Sequence, residues 1–205
     1  MFQNIENEIQ VCCNSFAQIS EERKNILIKY TAYLQQKIDQ NLPIQLVYIC
    51  THNSRRSHFG QIAAIVAAEY FDVKKVSTFS GGTEETEFNP NAIDALKSLG
   101  FEVYSNEEKK NPTYKVFFSD NHFTSCFSKV YDHITNPRNH FAAIMMCSHA
   151  EQNCPIISGM EFRIATPYED PKQSDGTSSQ NETYQNCFIQ ILTETLFVFA
   201  QLKNN

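Results

Sequence analysis

The chain has 205 residues, 41% of them hydrophobic and 20% charged, and a formal net charge of −6. This length suits one ordinary domain with a helical extension. The excess of acidic residues disfavours a general nucleic-acid binder, which needs a basic surface for phosphates. No apolar run approaches the roughly 18 residues that span a bilayer, and the N-terminus lacks the pattern of a signal peptide. We therefore expect a cytoplasmic protein that binds neither nucleic acid nor membrane.

The first 43 residues predict two helices. Ile5, Ile9 and Phe16 recur at helical spacing, and Ser20, followed by two acidic residues, is a predicted N-cap. Apolar residues beyond Ser20 mark one face of the second helix. We interpret residues 1–43 as a helical extension, for which packing or partner contact is favoured over a direct contribution to a site.

From residue 44 the pattern alternates between strands and helices. The segment 44–49 is an almost unbroken apolar run, typical of a strand buried on both faces. The further predicted elements are helices over 59–71, 90–99 and 187–202, strands over 76–80, 142–146 and 162–165, and a loop over 168–181. This alternation predicts an α/β domain over residues 44–205, with a four-stranded, mostly parallel sheet and helices on both faces.

The seven cysteines are an odd number in a chain without a recognisable export signal, which disfavours a secreted disulfide framework. Cys12, Cys13 and Cys187 lie on predicted helices, where we expect buried, unreactive thiols. Cys126 lies in the stretch 104–140, whose pattern predicts no element. The remaining cysteines lie beside informative motifs and are Cys50, Cys147 and Cys154.

The polar loop that follows the first strand, CTHNSRRS, is the main candidate site. Ligands of open α/β sheets bind where strands end, and the next helix offers unpaired amides and the positive end of its dipole. Arg56 could grip two oxygens of an anion, and the same field would stabilise the nucleophilic Cys50 thiolate. We expect Ser57 to donate to that sulfur and Asn53 to brace the loop. The oxyanion-binding candidates are Thr51, His52, Asn53, Ser54, Arg55, Arg56 and Ser57.

A thiolate that attacks a phosphoryl-like centre needs an acid for the leaving oxygen. Asp170-Pro171 follows the fourth predicted strand, so the Asp170 carboxyl is placed to lean over the loop. An Asp-Pro pair alone is a turn signal. The Cys50 loop and the strand order favour Asp170 as the general acid over that interpretation.

This combination of Cys-x5-Arg-Ser and a late Asp-Pro resembles the low-molecular-weight protein tyrosine phosphatase superfamily. Within it, the chain is most similar to the thioredoxin-coupled arsenate reductases, over roughly residues 44–203. His52 replaces a glycine of the family loop, and Arg55 replaces a second loop cysteine. The segments that carry the resemblance are Cys50–Ser57, Thr78–Gly82, Asn89–Ile93 and Cys147–Pro155.

The family also has a cation site built from an Asn, a Glu, a Ser and an Asp. At the corresponding positions this chain has Asn53, Gln61, Ser80 and Glu102. Because two of the four differ, binding of a potassium ion stays open, and we assign no metal and no cofactor.

The segment CSHAEQNCP is a redox feature that ordinary phosphatases lack. Cys147 follows the third predicted strand and should share the sheet edge of Cys50. The resemblance implies that Cys147 attacks a Cys50–arsenic adduct, that Cys154 then attacks Cys147, and that thioredoxin is the reductant. Seven helical residues span about 10.5 Å, whereas disulfide Cα atoms lie within about 7 Å, so a helical segment would have to unwind. Two buried thiols, or a zinc site that includes His149, are the alternatives.

Three functions remain open. The first is arsenate reduction with thioredoxin as partner. The second is hydrolysis of phosphotyrosine or another phosphomonoester by the same loop, with the cysteine pair protecting Cys50 against oxidation. The third is a non-catalytic module that binds oxyanions or phosphoproteins, and such a module has no need of a nucleophile and an acid.

Overall fold

The computed structural model describes residues 1–105, 107, 109–153 and 157–203. Its helices are α1 (Gln3–Asn14), α2 (Glu21–Asp39), α3 (Arg56–Tyr70), α4 (Pro90–Ser98), α5 (Ser148–Asn153) and α6 (Gln180–Phe199), with short 3-10 turns at Phe16–Gln18 and Pro171–Ser174. Its strands are β1 (Ile44–Cys50), β2 (Val76–Gly82), β3 (Glu102–Tyr104), β4 (Tyr114–Phe117), β5 (Phe123–Cys126), β6 (Phe141–Met145) and β7 (Met160–Ala165).

The main sheet has four strands in the order β2-β1-β6-β7, and every neighbouring pair is parallel. β1 lies inside the sheet, and its apolar side chains are buried because α3 packs against β1 and β2 while α2 packs against β1 and β7. The predicted four-stranded parallel sheet is confirmed. Parallel strands that share one edge bring the ends of β1, β6 and β7 together.

A second, antiparallel sheet of three strands, β3-β4-β5, lies in the stretch for which the sequence predicted no element. Its strands have three or four residues each, and buried positions such as Val103, Val116 and Cys126 alternate with more exposed ones. An alternation this short gives too few repeats to be recognised in a sequence. The sheet contacts α3 and α4, so it packs beside the main sheet.

Several predicted element boundaries were wrong. The closing helix begins at Gln180 rather than at Cys187. Its first two turns are polar and largely exposed, so they lack a continuous apolar stripe, although Tyr184 within them is buried. The predicted loop 168–181 therefore contains a 3-10 turn and the start of α6. The predicted strand 76–80 also continues through Gly82, which pairs with Cys50.

The N-terminal helices share the core of the α/β elements. Ile5, Ile9 and Leu34 are almost completely buried, and α1 and α2 both contact α6. Arg23 of α2 donates to Glu194 of α6 at 2.8 Å. The division of the chain at residue 43 stays a prediction. No helix in the described ranges is long and apolar enough to cross a membrane.

Candidate active site

Cys50 is the last residue of β1, and its sulfur lies 3.1 Å from the Ser57 hydroxyl oxygen. The Asn53 side-chain amide donates to that same oxygen at 2.8 Å. Because the Ser57 oxygen accepts from Asn53, its own proton is available to the sulfur. The structure thus contains the expected contact of Ser57 with the Cys50 sulfur, and the Asn53 side chain adds a hydrogen bond to Ser57.

Neighbouring segments hold the backbone of the loop through hydrogen bonds to its carbonyl groups. Carbonyl oxygens of loop residues accept hydrogen bonds from neighbouring segments, and these are Thr83 N to Cys50 O, Glu84 N to Thr51 O, the Thr86 and Ser128 hydroxyls to His52 O, and Asn89 N to Ser54 O. By contrast, none of the backbone amides of residues 51 to 56 donates a hydrogen bond to a described residue. Unpaired amides at the start of a helix are the groups that bind oxyanions.

Two residues let the loop close tightly. Asn53 has a φ of 45°, in the left-handed region that asparagine tolerates. A Cβ on Gly82 would lie 2.7 Å from the backbone nitrogen of Asn53 and from the carbonyl oxygen of Thr51. His52, at the family glycine position, has no positive φ, so glycine is not required there. The His52 ring is half-exposed and lies 3.7 Å from Glu84.

Arg56 and Asp170 are in direct contact. The Arg56 guanidinium donates to an Asp170 carboxylate oxygen at 2.7 Å and to the Tyr168 carbonyl at 2.7 Å. The other Asp170 oxygen accepts from the Lys172 amide at 3.1 Å, so Asp170 also begins the turn that Asp-Pro predicts. To grip two oxygens of an anion, Arg56 must exchange its contact with Asp170.

Arg55 connects the loop to α6 and to the acidic turn after β7. It donates to the Tyr184 hydroxyl at 2.9 Å and lies 3.8 Å from Asp170 and 3.9 Å from Asp175. These contacts hold its side chain beside Asp170. A direct contact of Arg55 with an oxyanion stays a prediction.

Cys147 lies at the same edge of the sheet as Cys50, as expected from its position after β6. Its sulfur is buried, 3.5 Å from the Thr51 hydroxyl, and accepts the Ala150 amide at 3.4 Å. The Thr51 hydroxyl also lies 3.2 Å from Nδ1 of His149. The following segment Ser148–Asn153 is helical. Cys154 lies outside the described residues, so the predicted partner of Cys147 has no structural account.

Two buried titratable residues near the loop were missed by sequence reasoning. His58 contacts the Ser80 hydroxyl at 3.1 Å, and burial holds its pKa well below the ordinary value. The backbone amide of Lys129 donates to the side-chain oxygen of Asn53 at 2.8 Å. Burial lowers the pKa of the Lys129 ammonium group to about 8. Lys129 lies in the stretch with no predicted element, and neither residue belongs to a recognisable motif.

The family cation site does not fit this chain. Glu102 is exposed at the start of β3, where it accepts a hydrogen bond from the Tyr104 hydroxyl. Both polar atoms of the Asn53 side chain are already hydrogen-bonded, and Ser80 contacts His58. In the described ranges no group of three or more His, Cys, Asp or Glu side chains could hold a metal ion. The zinc alternative includes Cys154, which lies outside these ranges.

Of the cysteines expected to be structural, Cys12 and Cys187 are buried and Cys13 is partly buried, and Cys126, for which no role was predicted, is buried as well. Burial raises the pKa of Cys12 to about 11 and the pKa of both Cys126 and Cys187 to about 12. Thiols with such pKa values are protonated and weakly nucleophilic at neutral pH.

No family model matches the chain. Among curated proteins, an arsenate reductase of Bacillus subtilis (strain 168) is 29% identical over 136 residues, which are 66% of this chain and 79% of that protein. Among solved structures, an arsenate reductase in its oxidised state superimposes with a TM-score of 0.51 at 17% identity, covering 78% of this chain and 98% of that structure. This chain is similar to arsenate reductases and shares their fold.

The resemblance to arsenate reductases that the sequence predicted is thereby confirmed. A low-molecular-weight phosphotyrosine phosphatase of Vibrio cholerae O395 aligns with a TM-score of 0.49 and 13% identity over 77% of this chain and 94% of that structure.

Proposed function

We propose that the chain is an arsenate reductase, with Cys50 as nucleophile, Arg56 as oxyanion clamp and Asp170 as general acid. Cys147 and Cys154 act as a thiol relay, thioredoxin is the reductant, and the protein works in the cytoplasm. The observation that carries this proposal is the place of Cys147. Its sulfur lies 3.5 Å from the hydroxyl of Thr51, the residue next to the nucleophile.

Arsenate enters the loop as a tetrahedral anion. The Cys50 thiolate attacks arsenic(V), and the leaving oxygen departs as water with a proton from Asp170. The guanidinium of Arg56 and the unpaired loop amides stabilise the charge on the remaining oxygens. The product of this step is a Cys50–sulfur–arsenic bond.

A second thiol then completes the reduction. The Cys147 thiolate attacks the Cys50 sulfur, and the electron pair of the sulfur–arsenic bond goes to arsenic, which leaves as arsenite. Two thiols have been oxidised to a disulfide, and arsenic(V) has been reduced to arsenic(III). Cys154 attacks Cys147 and frees Cys50, and the dithiol of thioredoxin reduces the resulting bridge.

Hydrolysis of an aryl phosphate is the second candidate, and the contact between Arg56 and Asp170 favours it. A phosphatase needs this clamp and acid on one site, and its second thiol would take no part in hydrolysis but would protect Cys50 against oxidation. A non-catalytic binding module is disfavoured, because it needs neither the hydroxyl that contacts the Cys50 sulfur nor an acid beside the clamp.

Parallel assays of the wild type and Cys147→Ser separate the two enzyme functions. We expect the wild type to reduce arsenate in multiple turnovers with thioredoxin, thioredoxin reductase and NADPH. The variant should lose this activity and keep its hydrolysis of an aryl phosphate, because Cys147 takes no part in hydrolysis. Multiple turnovers of arsenate by Cys147→Ser would contradict the proposal, and aryl phosphate as the only substrate of the wild type would establish the phosphatase.

A further inference from the structure

Three polar groups form a line that starts at the buried sulfur of Cys147. Its thiol lies 3.5 Å from the Thr51 hydroxyl oxygen, and that oxygen lies 3.2 Å from Nδ1 of His149. Thr51 is the residue after Cys50, and His149 lies in the first turn of α5. The line therefore runs from a buried thiol, along the edge of the Cys50 loop, to an exposed imidazole.

We propose that His149 is the base that ionises Cys147, through the hydroxyl of Thr51. His149 does not contact the sulfur, so it is a positioning residue for the proton rather than a catalytic residue. The inference deepens the proposed function, since it concerns activation of the second thiol, and it rests on that function only for the identity of the substrate.

The hydroxyl of Thr51 has one proton, and this decides the order of donors and acceptors. In the resting state, the Cys147 thiol donates to Thr51, and Thr51 donates to Nδ1 of a neutral His149. After transfer, the His149 imidazolium donates to Thr51, and Thr51 donates to the Cys147 thiolate. The two states use the same contacts with every direction reversed, so the proton moves without rearrangement of heavy atoms.

The surroundings of the sulfur suit a thiolate once it has formed. The backbone amide of Ala150 donates to it at 3.4 Å, and hydrogen bonds to an ionised acceptor are stronger than those to a neutral one. A buried thiol without such partners is protonated at neutral pH, which limits its attack on a bound sulfur. Imidazole takes up a proton close to neutral pH, where a thiol alone is a weak acid.

The side chains of the other described titratable groups on the neighbouring elements contact neither the Cys147 sulfur nor the Thr51 hydroxyl. On α5, Glu151 accepts from Arg163 of β7 at 3.0 Å. In the loop, His52 lies 3.7 Å from Glu84. The remaining titratable groups of the loop are Cys50, bonded to Ser57, and the two arginines beside Asp170. Among the described titratable side chains, His149 is the one that contacts the Thr51 hydroxyl beside Cys147, so the pH dependence of Cys147 attack is assigned to His149.

The step can be observed without arsenate. Hydrogen peroxide oxidises the Cys50 thiolate to a sulfenic acid and releases hydroxide. The Cys147 thiolate attacks that sulfur, forms the Cys50–Cys147 disulfide and displaces hydroxide. At high peroxide the second step limits the rate, and acid quenching with peptide mapping measures it. Cys154→Ser serves as the parent so that the disulfide accumulates.

His149→Gln in this parent should slow disulfide formation at least tenfold at pH 7, since general base catalysis commonly contributes about a hundredfold or more. The gap between variant and parent should close towards high pH, where hydroxide can take up the proton in place of the imidazole. A merely structural role would lower the rate equally at all pH values. Parallel pH profiles for the variant and the parent would overturn the proposal.

Variants of Thr51 test the path of the proton. Thr51→Ser keeps the hydroxyl and should keep the pH profile, whereas Thr51→Val should reproduce the loss seen in His149→Gln. The double variant should be no slower than either single one, because both remove one shared path. His122→Gln is the matched control, since His122 pairs with Glu69 away from the loop. Additive losses in the double variant would contradict the relay through Thr51.

The outcomes separate this inference from the proposed function. If the disulfide forms with a His149-dependent pH profile but arsenate is not reduced, the inference stands and arsenate reduction fails. If arsenate is reduced while His149→Gln leaves the profile unchanged, the function stands and the inference fails.

Discussion

The two buried thiols of the site, Cys50 and Cys147, are held in different ways. The Cys50 loop leads into α3, a helix of 15 residues, and neighbouring segments bind its carbonyl groups. Cys147 leads into α5, a helix of six residues that Arg163 ties to β7 through the side chain and carbonyl of Glu151. A fixed loop suits the group that receives the substrate, and a short helix suits a thiol that must reach a bound sulfur.

Arg56→Lys tests the fixed loop and should have the largest effect. An ammonium group cannot make the two-pronged contact of a guanidinium with two oxygens. We expect kcat/KM for arsenate, or for an aryl phosphate, to fall by about a hundredfold or more. Arg55→Lys is the matched control and should lose less than Arg56→Lys, because the Arg55 side chain contacts Tyr184 and the acidic turn. Equal losses in both variants would show that Arg56 is not the oxyanion clamp.

Lys129→Met tests the buried charge beside the loop. Burial lowers the pKa of Lys129 from near 10.5 to about 8. Between these values the unfolded chain binds more protons than the folded chain, so the wild type gains stability as the pH rises through this window. Below pH 8 that gain is absent, because the folded protein carries a buried ammonium group.

The variant lacks this gain, so the difference in the free energy of unfolding between wild type and Lys129→Met should change by about 3 kcal/mol from pH 8 to 10.5. Denaturant unfolding across this range measures it. Lys97→Met, at an exposed position of α4, is the control and should follow the wild type. If the free energy of unfolding changes with pH equally in Lys129→Met and in the wild type, Lys129 is not desolvated.

Ser57→Ala removes the hydroxyl that lies 3.1 Å from the Cys50 sulfur. A hydrogen bond to a charged acceptor contributes about 1.5 kcal/mol or more, so the variant should lose that stabilisation of the Cys50 thiolate. We expect alkylation of Cys50 by iodoacetamide at pH 6 to slow by about tenfold. Labelling of Cys147 in the same sample is the internal control and should not change. Equal slowing at both thiols would indicate a general change in structure.

Glu151→Gln tests the short helix and should have the smallest effect. It removes a partly exposed ion pair with Arg163, and such pairs contribute less than about 1 kcal/mol. We expect faster hydrogen exchange at the amides of α5 and unchanged exchange in the Cys50 loop. Glu21→Gln, which breaks the exposed pair with Lys24 on α2, is the control. Faster exchange of the Cys50 loop would show that the two regions are not held independently.

The parts of the site that the sequence predicted have strong local patterns. The apolar run of β1, the polar loop after it and the helix that follows place Cys50, Ser57 and Asn53 without knowledge of distant contacts. Asp170 and Cys147 were placed by the rule that parallel strands end at one edge. The second sheet, Lys129 and the line from Cys147 to His149 depend on contacts between residues far apart in the chain, which spacing does not reveal.

The central claim is that Cys147 attacks the Cys50–arsenic adduct. Its most direct test is a single turnover of Cys154→Ser with arsenate, followed by acid quenching, peptide mapping and measurement of arsenite. We predict one arsenite per enzyme, formed together with a Cys50–Cys147 disulfide that accumulates. Arsenite released without that disulfide, or an enzyme that releases none while it hydrolyses an aryl phosphate, would contradict the account.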